Sequence, residues 1–328
     1  MNLGHKGNLL YAENSQESIL KTLSSPYNDG LELDVRMTKD HKLVIIHDWN
    51  TFLTGNKMRL VKHMTLEELG SVSCRPHRFD WWKYLFQTLP NFTQNRYLQE
   101  KLIHSRKNRS CIITLEEVLE YLPKHKRIMI EIKGSNRDYD EEKTYQTVLR
   151  DTIAPYQNKD IVVSSYDKEI ITYLKQQLSN VKMGLVISEK CWDHIDTDVD
   201  FLSIDFSCFK KDPSRVDQVK DHELYLWTID QCRDYLRMTE LFYQQGIYPN
   251  TISNHDELIA ALEEIWNAYP ETFAYYIEYY NARQLLTKGM KLRHEYYGRL
   301  TVDQKLTLLA EFCRFWTGTG EFGYQKKR

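Results

Sequence analysis

Charge of one sign, long apolar runs and glycine-rich loops are what this 328-residue chain has least of. Lysine and arginine number 44 against 46 aspartates and glutamates, a net charge of −2, so bulk electrostatics leave no footprint for a nucleic-acid partner. No apolar stretch reaches the roughly 18 residues that a membrane-spanning helix needs. Met1-Asn2-Leu3-Gly4 leads directly into the first apolar segment and leaves no room for a signal peptide, so the expectation is a cytoplasmic protein. The 13 glycines build neither a GxGxxG nor a GxxxxGK(S/T) loop, and neither a dinucleotide nor a nucleoside triphosphate is indicated. Six scattered cysteines (Cys74, Cys111, Cys191, Cys208, Cys232, Cys313) have no metal-site spacing and read as free thiols of a reducing compartment. No serine or cysteine stands in an obvious nucleophile motif.

What the chain does have is repeated alternation of short apolar runs with helical spacing. Strands are expected at Leu3 to His5, Leu31 to Val35, Leu43 to His47, Ile128 to Ile132, Ile161 to Ser164, Met183 to Ile187, Phe201 to Ile204 and Leu224 to Ile229. A weaker one lies near Tyr248 to Ile252, where Pro249 argues against a central strand. Helical spacing falls between them, and Thr65 with Glu68 and Thr114 with Glu117 read as capping boxes. Strand-helix alternation on this scale predicts an α/β fold, a TIM (β/α)8 barrel. Nine strands for eight positions means that one is wrong or lies outside the barrel, and the last is the least secure. The expected division is a barrel over 1–264, with an inserted segment at 71–109 carrying Trp81-Trp82, and a helical extension over 265–328. Aromatic faces in that extension, Tyr275, Tyr276, Tyr279 and Tyr280 among them, either pack on the barrel wall or form a homodimer.

The polar residues at the strand ends carry the chemistry. Leu31, Leu33 and Val35 alternate with Glu32 and Asp34, so a strand puts both carboxylates on one face. Like charges held so close are tolerated when a cation or a shared proton sits between them. Glu131-Ile132-Lys133 repeats the pattern with a carboxylate and an ammonium. Glu32, Asp34 and Glu131 together offer hard oxygen ligands for Mg²⁺ or Ca²⁺ and argue against structural zinc. His5 and His47 end apolar runs and are the acid-base candidates, with Asp48 placed to orient His47; His41, His63, His77 and His125 read as structural. Lys6 and Lys133 add positive charge where a phosphate would sit, and Trp227 near a strand end is placed to line a pocket. A cation, two imidazoles and lysines without a nucleophile motif describe phosphodiester cleavage of a small-molecule substrate better than acyl transfer.

In that light the chain resembles the glycerophosphodiester phosphodiesterase family. Its members open with His-Arg-Gly, then Glu-Asn, Glu-x-Asp and His-Asp, and later carry Glu-x-Lys. The corresponding segments here, in the same order, are His5-Lys6-Gly7, Glu13-Asn14, Glu32-Leu33-Asp34, His47-Asp48 and Glu131-Ile132-Lys133. Ser164-Ser165-Tyr166-Asp167 and Leu226-Trp227-Thr228-Ile229-Asp230 resemble two later segments, and the likeness covers about residues 1 to 260. The resemblance implies a TIM-barrel phosphodiesterase with metal ligands Glu32, Asp34 and Glu131. It further implies His5 and His47 as the acid-base pair with Lys133 near the phosphate, and Lys6, Asn14 and Trp227 on the substrate side. The implied reaction is hydrolysis of a glycerophosphodiester to glycerol 3-phosphate and an alcohol, through a cyclic phosphate where a substrate hydroxyl attacks. Lysophospholipase D-like or sugar-phosphodiester hydrolysis is the alternative within the class, and a catalytically inactive phospho-ligand-binding barrel the alternative outside it. Two departures stand out. Lys6 replaces the family's arginine and gives up its bidentate geometry, and the aspartate usual after the last strand is absent from Thr251-Ile252-Ser253-Asn254.

Overall fold

A computed structural model describes residues 1–8, 11–25, 28–53, 55, 58–75, 107–139, 143–195, 198–229 and 232–254. The segment around Trp81-Trp82, Asp230 and the aromatic faces expected beyond 264 lie outside the described residues.

Nine strands form one sheet: β1 (Asn2–His5), β2 (Gly30–Met37), β3 (Leu43–Ile45), β4 (Arg127–Ile132), β5 (Ile161–Ser165), β6 (Lys182–Ile187), β7 (Phe201–Asp205), β8 (Glu223–Trp227) and β9 (Asn250–Ser253). Every strand except β3 pairs parallel to its neighbours, in the order β1-β2-β4-β5-β6-β7-β8-β9, and β9 returns to β1 to close a ring of eight. The result is the TIM barrel.

The surplus strand is β3 and not β9, a correction to the sequence expectation. Two local facts explain it. β2 outruns its partner β1, whose last paired residue sits against Glu32, and on that same edge β3 folds back antiparallel along the overhang with Met37 opposite Leu43 and Val35 opposite Ile45. Pro249 stands just before β9, ahead of the first residue whose N–H the ladder needs, so it does not spoil a strand that pairs on both sides.

Leu31, Leu33 and Val35 point outward and, with Ile128, Ile130 and Ile132, are buried beneath the surrounding helices. Those helices include α1 (Gln16–Ser24), α3 (Leu115–Tyr121), α4 (Thr144–Ile153) and α5 (Lys168–Gln177), while α2 (Leu66–Gly70) packs in a separate cluster with Val44 and Ile46. Ser15 caps α1, and the boxes Thr65/Glu68 and Thr114/Glu117 start α2 and α3 as their sequence spacing predicts. Inside the ring, Leu3, Met129, Val162, Phe201, Tyr225 and Ile252 fill one layer. Two residues further along each of those strands, on the same face, stand His5, Glu131, Ser164, Ser203, Trp227 and Asn254. The lining therefore changes from hydrocarbon to polar one layer below the C-terminal rim.

Tyr145 on α4 fastens this rim. Fully buried, its hydroxyl lies 3.0 Å from the carbonyl oxygen of Val35 and 3.1 Å from that of Lys133, sharing one proton between the ends of β2 and β4. Tyr145→Phe is expected to lower unfolding free energy by about 1–3 kcal/mol, the usual penalty for stranding buried acceptors. Urea denaturation of the two proteins measures it.

Candidate active site

The site begins at a tight turn after β1. Lys6 and Gly7 have positive φ angles of 54° and 92°, and a side chain on Gly7 would collide with Ser18. The turn aims the Lys6 backbone N–H at Glu32, 3.0 Å from its carbonyl oxygen and 3.2 Å from Oε2.

The register of β1, β2 and β4 sets His5 beside Glu32 and Asp34 beside Glu131. One oxygen from each of Glu32, Asp34 and Glu131 can be chosen so that all lie within 4.8 Å of one another. Glu32 and Asp34 are 2% and 0% exposed, so this is no solvated acidic patch. Lys133 forms a short ion pair with Glu131 and brings Nζ to 3.1 Å from Asp34 Oδ1. That approach is off the direction of a hydrogen bond, and Asp34 Oδ1 has no donor of its own. Lys6 Nζ lies 3.7 Å from Glu13 and 3.9 Å from Asp34.

The electrostatics divide the three acids. Burial pushes Asp34 upward, but Lys133 and Lys6 outweigh it and hold the carboxyl well below the usual carboxylate range. Burial and the charges of Asp34 and Glu131 push Glu32 well above that range. Glu131 is also raised, by burial and Asp34 against the pull of Lys133. Burial lowers both lysines, yet the carboxylates around them win and raise both. With all three acids ionised, two ammonium groups leave one negative charge uncompensated among these five side chains.

His5 is held well below the ordinary imidazole range by burial and by Lys6, so its 4.0 Å approach to Glu32 is the contact of a neutral ring and not an ion pair. His47 arrives by a route the sequence pattern does not show. It follows the antiparallel β3 and not a barrel strand, which corrects its expected placement. The overhang of β2 brings it back to the mouth, where Ile46 N–H donates to the Asp34 carbonyl and Arg36 Nε donates to the His47 carbonyl at 2.8 Å. His47 Nδ1 lies 2.9 Å from Asp48 Oδ1, the orienting pair expected from the sequence. With that carboxylate accepting from Nδ1–H, the lone pair of the neutral ring sits on Nε2.

The remaining expected residues are distributed as follows. Asn14 has both ends of its amide on Asp34. Trp227 ends β8, packs on the apolar interior layer and has a buried indole N–H with no hydrogen-bond partner. Ser165 donates to the Ile132 carbonyl and accepts from the Asp167 N–H, a structural role. Asn254 holds the place of the absent aspartate. With its nitrogen turned toward β1, it donates to the carbonyls of His5 and Gly7, 3.0 Å each, a job for an amide that a carboxylate cannot do. Tyr145, the second residue of α4, carries no sequence signal of this role, and Asn254 shows in the sequence only as the end of the segment that lacks the usual aspartate.

Comparison with known proteins bears on the family and the fold. The sequence pattern of the glycerophosphoryl diester phosphodiesterase family matches residues 4–244. A glycerophosphodiester phosphodiesterase of Bacillus subtilis (strain 168) is 23% identical over 263 residues, spanning 76% of this chain and 83% of its own. One from Caldanaerobacter subterraneus subsp. tengcongensis is 27% identical over 244 residues, spanning 72% and 88%. Among solved structures, an Oleispira antarctica phosphodiesterase in complex with the product sn-glycerol-3-phosphate superposes with a TM-score of 0.59 at 18% identity, covering 80% of this chain and 96% of that one. A glycerophosphodiester phosphodiesterase from Thermotoga maritima gives 0.52 at 22% identity, covering 80% and 97%. At such identities the structural likeness speaks for the barrel fold.

Proposed function

The chain belongs to the glycerophosphoryl diester phosphodiesterase family, and from that premise we propose that it hydrolyses a glycerophosphodiester to glycerol 3-phosphate and an alcohol with the help of a divalent cation. The observation that carries this reading is the cluster of Glu32, Asp34 and Glu131 at the barrel mouth, flanked by two imidazoles and two lysines. The residues fit a hard cation. Their donors are all oxygens, they are buried together with charge left uncompensated, and Asp34 Oδ1 lacks a hydrogen-bond donor. Mg²⁺ or Ca²⁺ would be held by these three carboxylates. When bound, it supplies Lewis-acid polarisation of the phosphoryl group and neutralises charge that builds up there.

The chain's own groups do the rest. Lys133, reaching over the acids from the end of β4, is the ammonium placed to meet a phosphoryl oxygen, with Lys6 as the second positive charge. One of His5 and His47 takes the proton of the attacking oxygen as its bond to phosphorus forms. The other, entering the reaction as an imidazolium, donates its proton to the alcohol oxygen as the old phosphorus–oxygen bond breaks. Residues 1–264 would form the catalytic barrel, in keeping with the extent of the family match. Among the described residues no helix is long and apolar enough to cross a membrane.

A screen of glycerophosphodiesters, lysophospholipids and sugar phosphodiesters, each with and without Mg²⁺ or Ca²⁺, tests the reading. Release of glycerol 3-phosphate from a glycerophosphodiester only with cation present is the expected result. Turnover confined to lysophospholipids or sugar phosphodiesters would move the chain to a different substrate class.

A further inference from the structure

We propose that Asn14 is a positioning residue for the cation, acting through Asp34 and not on the substrate. The proposal rests on the cation reading above and adds to it the device that keeps Asp34 ready. Asn14 is 2% exposed. Its Nδ2 donates to Asp34 Oδ2 at 2.7 Å, and its Oδ1 accepts from the backbone N–H of the same aspartate at 3.2 Å. Both ends of one amide therefore grip one residue, tying the carboxylate to its own backbone and setting the side-chain torsion. The grip is itself anchored. Asn14 adopts φ 58°, a left-handed conformation that asparagine tolerates better than most residues, and its N–H donates to the Lys6 carbonyl at 2.7 Å.

The chemistry explains why an amide suits the place. Asp34 stands among two other buried carboxylates, and without a restraint like-charge repulsion turns it away from them. Lys133 and Lys6 stand 3.1 Å and 3.9 Å from its two oxygens, but neither makes the directed hydrogen bond that fixes the carboxylate's torsion. The neutral Asn14 donates to Oδ2 and adds no charge, while Oδ1 keeps no hydrogen-bond donor. One N–H of Asn14 Nδ2 is committed to the buried Asp34 oxygen in this arrangement.

The test uses full-length protein stripped of metal and titrated with Mg²⁺ alone, then Ca²⁺ alone, in a calorimeter. Asn14→Gly removes the amide and keeps the left-handed backbone unstrained. Cation affinity is expected to fall about 10–100-fold, the usual cost of losing a residue that orients a metal ligand. At saturating cation the KM for a glycerophosphodiester is expected to stay unchanged. Unaltered cation affinity in the variant would overturn the proposal, and a raised KM alongside it would assign Asn14 to the substrate. Absence of binding by the unmutated protein would overturn the cation reading itself, and the role of Asn14 with it. Should the variant not fold, selective ¹⁵N-asparagine labelling of the unmutated protein decides. The Asn14 side-chain amide is expected to shift with the calorimetric midpoint, and an amide blind to the cation overturns the proposal.

Discussion

Replacing Glu32, Asp34 or Glu131 with alanine is expected to lower cation-dependent turnover by on the order of 10³-fold or more, since Lewis-acid stabilisation is worth several kcal/mol and about 1.4 kcal/mol is tenfold in rate. The three variants are expected to differ in stability in a way that separates electrostatics from packing. Glu32 is buried among like charges that push its carboxyl upward, so Glu32→Ala relieves repulsion and is expected to hold or raise the melting temperature without metal. Asp34 is the acid that both lysines stabilise. Asp34→Ala leaves two buried ammonium groups with fewer partners and is expected to lower the melting temperature, an effect approaching the roughly 3–5 kcal/mol seen when one side of a buried pair is removed. Calorimetric melting in chelator, beside initial rates in Mg²⁺, measures both. Equal melting temperatures for the two variants would contradict the division of charge described above.

His47→Ala and His5→Ala are each expected to reduce kcat on the order of 10²–10⁴-fold, the range for a lost proton-transfer group. His47 is the more exposed ring, and its removal breaks little packing, so the loss is expected without a change in stability. A diester whose leaving group is strongly acidic needs no protonation on departure. Such a substrate is expected to rescue one variant in part and leave the other impaired, identifying the general acid. Unchanged turnover of the natural type of diester by both variants would dismiss the pair.

Much of the site is visible in the sequence because strand alternation is a local property. Glu32-Leu33-Asp34 and Glu131-Ile132-Lys133 each declare which side chains share a face, and parallel pairing then sets Asp34 against Glu131 without further information. The histidine ending β1 is equally local. His47 is different. Its arrival at the mouth depends on β2 outrunning β1 so that β3 can fold back along the overhang, and apolar runs do not reveal the length of a ladder. The same limit applied to β9, expected as a weak strand, since a proline beside a strand and a proline within one look alike until the pairing is known. The grip of Asn14 on Asp34 joins residues 20 apart in sequence, and that of Tyr145 on Val35 joins residues 110 apart. Asn14 drew notice through the Glu-Asn pair, but its partner could be found only in the folded chain.

The cation at Glu32, Asp34 and Glu131 is tested most directly by following glycerol 3-phosphate release from a glycerophosphodiester by the full-length protein through chelation and replenishment. Release is expected to stop when divalent ions are exhaustively removed and to return on adding Mg²⁺ or Ca²⁺. Release that continues undiminished after exhaustive chelation would contradict a cation-dependent site.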